Sequence, residues 1–247
     1  LMVDGDLVGS VSGCGRLLED SEIEQEYVAQ ATRSMLRDIR GRSATVKGIT
    51  MEEADAAAEA MRAGMHVVVE KPLEVTSERA RTLIEEADAA GVVLSTIFNS
   101  RFADANAFVH RAVAEGRLGR MVQGDAYVKW FRDQAYYDSA DWRGTLRLDG
   151  GGALMNQAIH HLDLLLWIMG PVREVFAYAD TLTHRGLEVE DTLVAVFRYE
   201  SGALGHIAAA TSLWPGRPKL LQIHGEDGVA VVEDAAHAIE TIHHDQK

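Results

Sequence analysis

The stretch from Asp149 to Gly170, DGGGALMNQAIHHLDLLLWIMG, constrains this chain more than any other. Gly150, Gly151 and Gly152 permit a tight backbone turn into a helix, and the residues after them are mostly apolar. Asn156, His160, Asp163 and Trp167 break the pattern. At helical spacing they share one face, while Leu154, Met155, Ile159, Leu162, Leu165 and Leu166 cover most of the others. A helix apolar nearly all round belongs in an interior, where an Asn, a His and an Asp must be hydrogen-bonded or face a wet cleft. Two readings stay open at this point: a candidate active site on the polar stripe, or a core helix in which His160 and Asp163 satisfy each other.

The 247 residues leave room for one large domain or two modest ones around a substantial core. A formal net charge of -14 with no basic run argues against nucleic acid or an anionic membrane as partner. The single cysteine, Cys14, allows no internal disulfide and fits a reducing compartment. Apolar runs are too short to span a bilayer and no signal peptide opens the chain, so a cytoplasmic location is expected.

The first fifty residues are the hardest to read. Asp6–Val11 suits a short strand, and Gly13, Cys14 and Gly15 superficially match a Gly-x-Gly turn, but Leu18 stands where G-x-G-x-x-G needs its third glycine. The charged run 19–42 is moderately helical. From Thr50, a candidate cap, a helix is expected through MEEADAAAEAMRAG, then a buried strand Met65–Glu70, a helix Ser77–Ala90 capped by Ser77 and stopped at Gly91, and a strand Val92–Phe98. Alternation at this spacing predicts parallel pairing in a Rossmann-like α/β part, and Glu70, Lys71 and Pro72 fall at the carboxyl end of a strand, where open α/β sheets place ligands. Taken alone, Lys71 is also compatible with an ordinary solvated lysine before a turn.

Beyond Phe98 a helix to Glu115 and a strand Met121–Phe131 are expected, then a polar segment with Arg132, Tyr136, Tyr137, Trp142 and Arg143. Rings beside guanidinium forks suit a sugar with an anionic group, or a rim loop packed on its own scaffold. After the glycine-led helix Ala153–Met169, strands over Val172–Ala179, Asp191–Tyr199, Ala203–Ser212, Lys219–Gly225 and Val229–Glu233 are expected in hairpin order. The expected fold class is therefore an incomplete Rossmann-like parallel sheet over residues 1–98 followed by an α+β domain over 99–247 with a mostly antiparallel sheet.

E-K-P after a strand, an N-x-R-F entry at Asn99–Phe102, a glycine run leading into H-x-x-D on a helix and a late antiparallel sheet together resemble the glucose-fructose oxidoreductase, inositol dehydrogenase and rhizopine-catabolism (Gfo/Idh/MocA) family. The likeness covers Thr50 to Glu233, and Trp142–Gln157 looks most like bacterial sugar and nucleotide-sugar dehydrogenases. The resemblance implies an NAD- or NADP-dependent oxidoreductase acting on a secondary hydroxyl of a sugar, cyclitol or nucleotide sugar. By the same resemblance Lys71 lies near nicotinamide and substrate, and His160 accepts the hydroxyl proton, roles that suit an ammonium and an imidazole chemically. It implies substrate contacts for Asn156, Asp163, Arg101 and Tyr137, and cofactor contacts for Glu70, Lys71, Pro72, Trp142 and Arg143. Asn156 stands where many members carry aspartate, and an amide can orient but not act as a base.

The family fold needs more strand–helix units before E-K-P than this chain supplies, so its front is expected to be truncated or atypical and its end incomplete. The competing expectation is a non-catalytic binding or assembly domain. No metal site is expected, because His160 and Asp163 lack further ligands. Apolar residues on both faces of the late strands, Leu193, Ala195 and Phe197 against Val194 and Val196, predict a homo-oligomer through the open sheet face unless residues 234–247 fold back over it.

Overall fold

A computed structural model describes the backbone of residues 2–3, 6–7, 43–46, 51–233 and 237–242, and the side chains of 55–233. The Gly13–Cys14–Gly15 turn, the helical reading of 19–42, Thr50 as a cap and all but the start of the Asp6–Val11 strand lie outside the described residues. The chain divides into two compact units, Leu1–Phe102 with Arg147–Gly150, and Ala103–Leu146 with Gly151–Lys247.

In the first unit β1 (Met2–Val3) and β2 (Asp6–Leu7) pair as a short antiparallel ribbon. β3 (Ser43–Val46), β4 (His66–Glu70) and β5 (Leu94–Ile97) form a parallel sheet in that order, with α1 (Met51–Arg62) and α2 (Ser77–Ala90) as the crossovers. Parallel strands are covered on both faces, and β4 reads accordingly: Val67 and Val69 join Ala57, Met61, Leu83 and Ala87 in one cluster, and Val68 is buried on the other side. Thr76 rather than Ser77 caps α2, its hydroxyl accepting from Arg79 N at 3.3 Å, because Ser77 is already helical. Gly91 ends that helix in the left-handed conformation at φ 65°.

The second unit begins with α3 (Asp104–Ala114), carries a short α4 (Gln134–Asp138) in its polar loop and is built on a seven-stranded sheet. Its strands are β6 (Met121–Lys129), β7 (Val172–Asp180), β8 (Thr192–Tyr199), β9 (Leu204–Ala210), β10 (Leu220–Gly225), β11 (Gly228–Glu233) and β12 (His237–Ile242). The spatial order is β12-β11-β10-β6-β9-β8-β7. The expected strands are present, but the hairpin order is not kept throughout. β6 inserts between β9 and β10, parallel to the first and antiparallel to the second. Residues 237–242 do not cover a sheet face; they pair with β11 as an outer strand.

The single helix expected over Ala153–Met169 is divided into a π-helical segment, Ala153–Ala158, and α5 (Ile159–Met169). Leu164, Leu165, Ile168 and Met169 of α5 pack on the inner sheet face with Ala126, Val128, Phe197, Ile207 and Ile223. The opposite face is open: Val194 and Val196 are 48% and 50% exposed, and paired Tyr178 and Phe176 on β7 are 76% and 59% exposed.

Candidate active site

The π-helical segment owes its start to Glu190. Its carboxylate accepts from Gly152 N at 3.0 Å and Leu154 N at 2.9 Å, and its carbonyl oxygen accepts from Ala153 N at 2.9 Å. Those amides would otherwise be orphan donors at a helix start. Because a π-turn winds less per residue than an α-turn, Asn156 and Gln157 are rotated away from the uniform stripe expected from the sequence. His160 lies in the first turn of α5, partly buried, and Asp163 is buried one turn on. His161 is more deeply buried. Burial, helped by the charge of Lys219, pushes its imidazole down to about 3, so it stays neutral near pH 7.

Gln157 joins this segment to the polar loop before it. Its side chain accepts from Arg132 Nη2 at 3.4 Å and donates to the Tyr136 hydroxyl at 3.2 Å and to Asn156 Oδ1 at 3.4 Å. Arg143 Nη1 donates to the same Tyr136 hydroxyl at 2.8 Å, and its guanidinium lies 4.4 Å from the Trp142 ring centre. Tyr137, expected to touch substrate, is instead buried in the scaffold with its hydroxyl 2.7 Å from Thr211 Oγ1. It is the neighbouring Tyr136 that meets the guanidiniums.

A second carboxylate fixes the backbone beneath Arg132. Asp191 is fully buried and accepts from the amides of Leu182, Thr183 and His184 at 2.9–3.0 Å and from the Thr192 hydroxyl at 2.8 Å. Burial alone would raise its carboxyl, but those donors hold it well below the usual carboxylate range. His184 reaches from Asp191 Oδ2 (Nδ1, 2.9 Å) to the Arg132 carbonyl oxygen (Nε2, 2.8 Å), both of them acceptors. Of these residues only Arg132 carries an expectation from the sequence, as a guanidinium beside aromatic rings; Glu190, Asp191, His184 and Gln157 carry none. Adjacent acids before a buried strand were the one available signal, and Asp191 read as the strand's first residue.

In the first unit Glu70, Lys71 and Pro72 stand at the carboxyl end of β4, as expected, with Lys71 N donating to Glu70 Oε2 at 3.3 Å across a partly buried edge. The Lys71–Pro72 peptide is cis. Buried Glu74 pins the following loop, accepting from Arg79 Nη2 at 2.7 Å and Val75 N at 2.9 Å. Arg101 lies 5.6 Å from the Phe98 ring centre. A parallel sheet presenting a lysine on a braced loop at its ligand edge fits a dinucleotide; the candidate phosphate turn lies outside the described residues. Among the described residues no group of three or more His, Cys, Asp or Glu could hold a metal ion, and no helix is long and apolar enough to cross a membrane.

The chain thus carries a Rossmann-type parallel unit, whose strand ends suit a dinucleotide, followed by a mixed-sheet unit with a polar-edged buried helix. The chain belongs to the GFO/IDH/MocA family: residues 16–98 match its oxidoreductase, NAD-binding Rossmann fold domain and residues 107–231 its C-terminal domain. It is 31% identical over 175 residues to 1,5-anhydro-D-fructose reductase of Ensifer adhaerens, covering 68% of this chain and 50% of that protein. It is 29% identical over 214 residues to levoglucosan dehydrogenase of Pseudarthrobacter phenanthrenivorans, covering 76% and 53%. The WlbA dehydrogenase of Bordetella pertussis, solved with NADH and UDP-GlcNAcA, superposes with a TM-score of 0.77 at 33% identity, covering 92% of this chain and 68% of that one. The chain spans about half the length of the curated relatives it matches.

Proposed function

We propose that this chain oxidises a secondary hydroxyl of a sugar or nucleotide sugar with NAD or NADP, and that His160 takes the hydroxyl proton. The observation that carries the reading is the π-helical segment entering α5, which sets His160 beside an amide-rich edge, Asn156 and Gln157, inside a chain of this family. NAD or NADP, held along the Glu70–Pro72 edge of β4, would supply the acceptor for the hydride. Loss of the hydroxyl proton is the part this chain's side chains serve: the imidazole receives it, and Asn156 and Asp163 hold neighbouring hydroxyls so that the right one is presented. Lys71 is assigned an ammonium that steadies negative charge on the reacting oxygen, with Glu70 and Pro72 shaping the cofactor edge of β4. Arg101 is assigned to the substrate side. That UDP-GlcNAcA and NADH occupy the WlbA dehydrogenase, and that levoglucosan dehydrogenase acts on a sugar derivative, supports a sugar-like substrate.

The test is His160→Gln in the full chain, with reduction of NAD and NADP followed over a panel of sugars and nucleotide sugars and NADH affinity measured separately. Turnover should fall by about a hundredfold or more with NADH affinity unchanged. Undiminished turnover removes His160 as the proton acceptor. We infer in addition that two copies associate through the open sheet face, since a second such face would cover Phe176, Tyr178, Val194 and Val196 together.

A further inference from the structure

The imidazole of His184 is held between two acceptors, and the chemistry assigned to His160 makes no use of it. Nδ1 lies 2.9 Å from Asp191 Oδ2, and Nε2 lies 2.8 Å from the Arg132 carbonyl oxygen. The His184 side chain is 5% exposed and that of Asp191 fully buried. A neutral imidazole has one N–H and one bare nitrogen, so either tautomer would set a lone pair against an acceptor at hydrogen-bond distance. With the proton on Nε2, the bare Nδ1 would face the Asp191 carboxylate. Asp191 does not relieve that contact by becoming an acid, because amides and the Thr192 hydroxyl hold its carboxyl well below the usual carboxylate range. The Thr183 hydroxyl, 3.3 Å from Nδ1, is drawn to the same carboxylate at 3.0 Å. With the proton on Nδ1, the bare Nε2 would face a carbonyl oxygen that has no hydrogen to give. An imidazolium, with N–H on both sides, satisfies both acceptors, and the pairing with Asp191 offsets the burial of its charge.

The other groups around the ring do not compete for it. Tyr137 on α4 packs its ring centre 4.7 Å away at 60°, with its hydroxyl committed to Thr211. Arg132 offers His184 its backbone and turns its guanidinium to Gln157 and to the Trp130 and Tyr136 rings. Arg185, the next residue, is exposed. Arg132 N donates to Thr211 O at 2.7 Å, so the backbone at Arg132 is fixed on one side by β9's extension and on the other by His184. From Arg132 the connection runs through Gln157 to Asn156.

We propose that His184 is a positioning residue of the candidate site, kept as an imidazolium between Asp191 and the Arg132 backbone so that the Arg132–Gln157–Asn156 edge stays in place. This rests on the reading that Asn156 and His160 face a sugar. Loss of one ring proton turns one of the two bonds into a repulsion and loosens that edge.

The full chain labelled with nitrogen-15 reports the ring directly by nuclear magnetic resonance. His184, identified by comparison with His184→Gln, should show both ring nitrogens protonated at about pH 8, where an ordinary histidine is mostly neutral. The Gln157 side-chain amide signals should shift with the same midpoint as the ring when the pH is raised further, and that shift should vanish in His184→Gln. With the most active sugar of the NAD-reduction panel, His184→Gln should raise KM at least about tenfold with kcat little changed, the mark of lost positioning outside the chemical step. If His184→Gln fails to fold by near-ultraviolet circular dichroism, the ring is assigned instead from its contact with Tyr137, and the two titrations of the parent chain decide. A ring with one bare nitrogen at about pH 8 overturns the imidazolium. A doubly protonated ring whose titration leaves the Gln157 signals unmoved, or a variant with unchanged KM, overturns the positioning role while the sugar reading stands. Absence of turnover with every sugar overturns the sugar reading, and with it the part of His184 in the reaction.

Discussion

The carbonyl oxygen of Glu190 occupies the space that a β-carbon on Gly152 would need, while the Glu190 carboxylate accepts from Gly152 N at 3.0 Å. The glycine is therefore required by a close backbone approach, not by an unusual φ, which is -101°. Gly152→Ala must push the segment off Glu190 and is expected to cost about 2 kcal/mol or more. Glu190→Ala, which strands two amides, should cost about 1–3 kcal/mol. Thermal and urea unfolding of both variants check this, and a Gly152→Ala protein as stable as the parent would show that the approach can relax.

His161 makes the fold acid-sensitive. Its pKa is about 3 in the folded protein against 6.5 for an unperturbed histidine, so as pH falls the unfolded chain takes up the proton first. The stability it protects is fully present above about 6.5 and drains away as pH drops toward about 3. The loss is bounded at a few kcal/mol by the size of the shift. His161→Met should flatten the slope of unfolding free energy against pH in that window, measured by urea titrations at a series of pH values.

Asp191→Ala removes the acceptor for three amides and for the hydroxyls of Thr183 and Thr192 at once, and for the His184 ring. A cost of about 3–5 kcal/mol is expected, as for breaking a buried charged network. Because His184 also holds the Arg132 carbonyl, hydrogen exchange should rise around Arg132 as well as over 182–184. Exchange that rises in the loop alone would separate the two.

Val194→Asp with Val196→Asp places charges on the open face without touching the inner one, where Leu193, Ala195 and Phe197 are buried. The variant should keep its melting temperature as a dilute monomer and lose self-association by light scattering at micromolar concentration. A parent chain that runs as a monomer of 27.0 kDa contradicts the proposed association directly.

Local features were legible because they are written locally. Gly91 stops α2, the run Val67–Val69 makes a strand buried on both faces, and the alternation Leu193 to Phe197 divides β8 into an inner and an outer side. His160, Asn156 and Lys71 stand out because polar groups at an apolar helix or a strand end are chemically anomalous. What stayed hidden depends on partners far along the chain. The π-turn is set by Glu190, 36 to 38 residues from the amides it caps, and no periodicity announces it. Arg132 meets Gln157 across 25 residues, and the Asp191–His184 clamp ends on a backbone carbonyl, which has no sequence signature.

β6 lies between β9 and β10, so the later strands form two groups, β7 to β9 and β10 to β12, that touch the sheet only through it. During synthesis β6 emerges first and has no strand partner until β9 leaves the ribosome, long after α5 has been made. Non-local pairing of this kind is slow to form and leaves edges exposed while it waits. The buried helix is thus the nearest surface on which β6 can be sheltered, through Met169 against Gly124. In this unit the helix that carries His160 is also placed to act as the template on which the sheet closes.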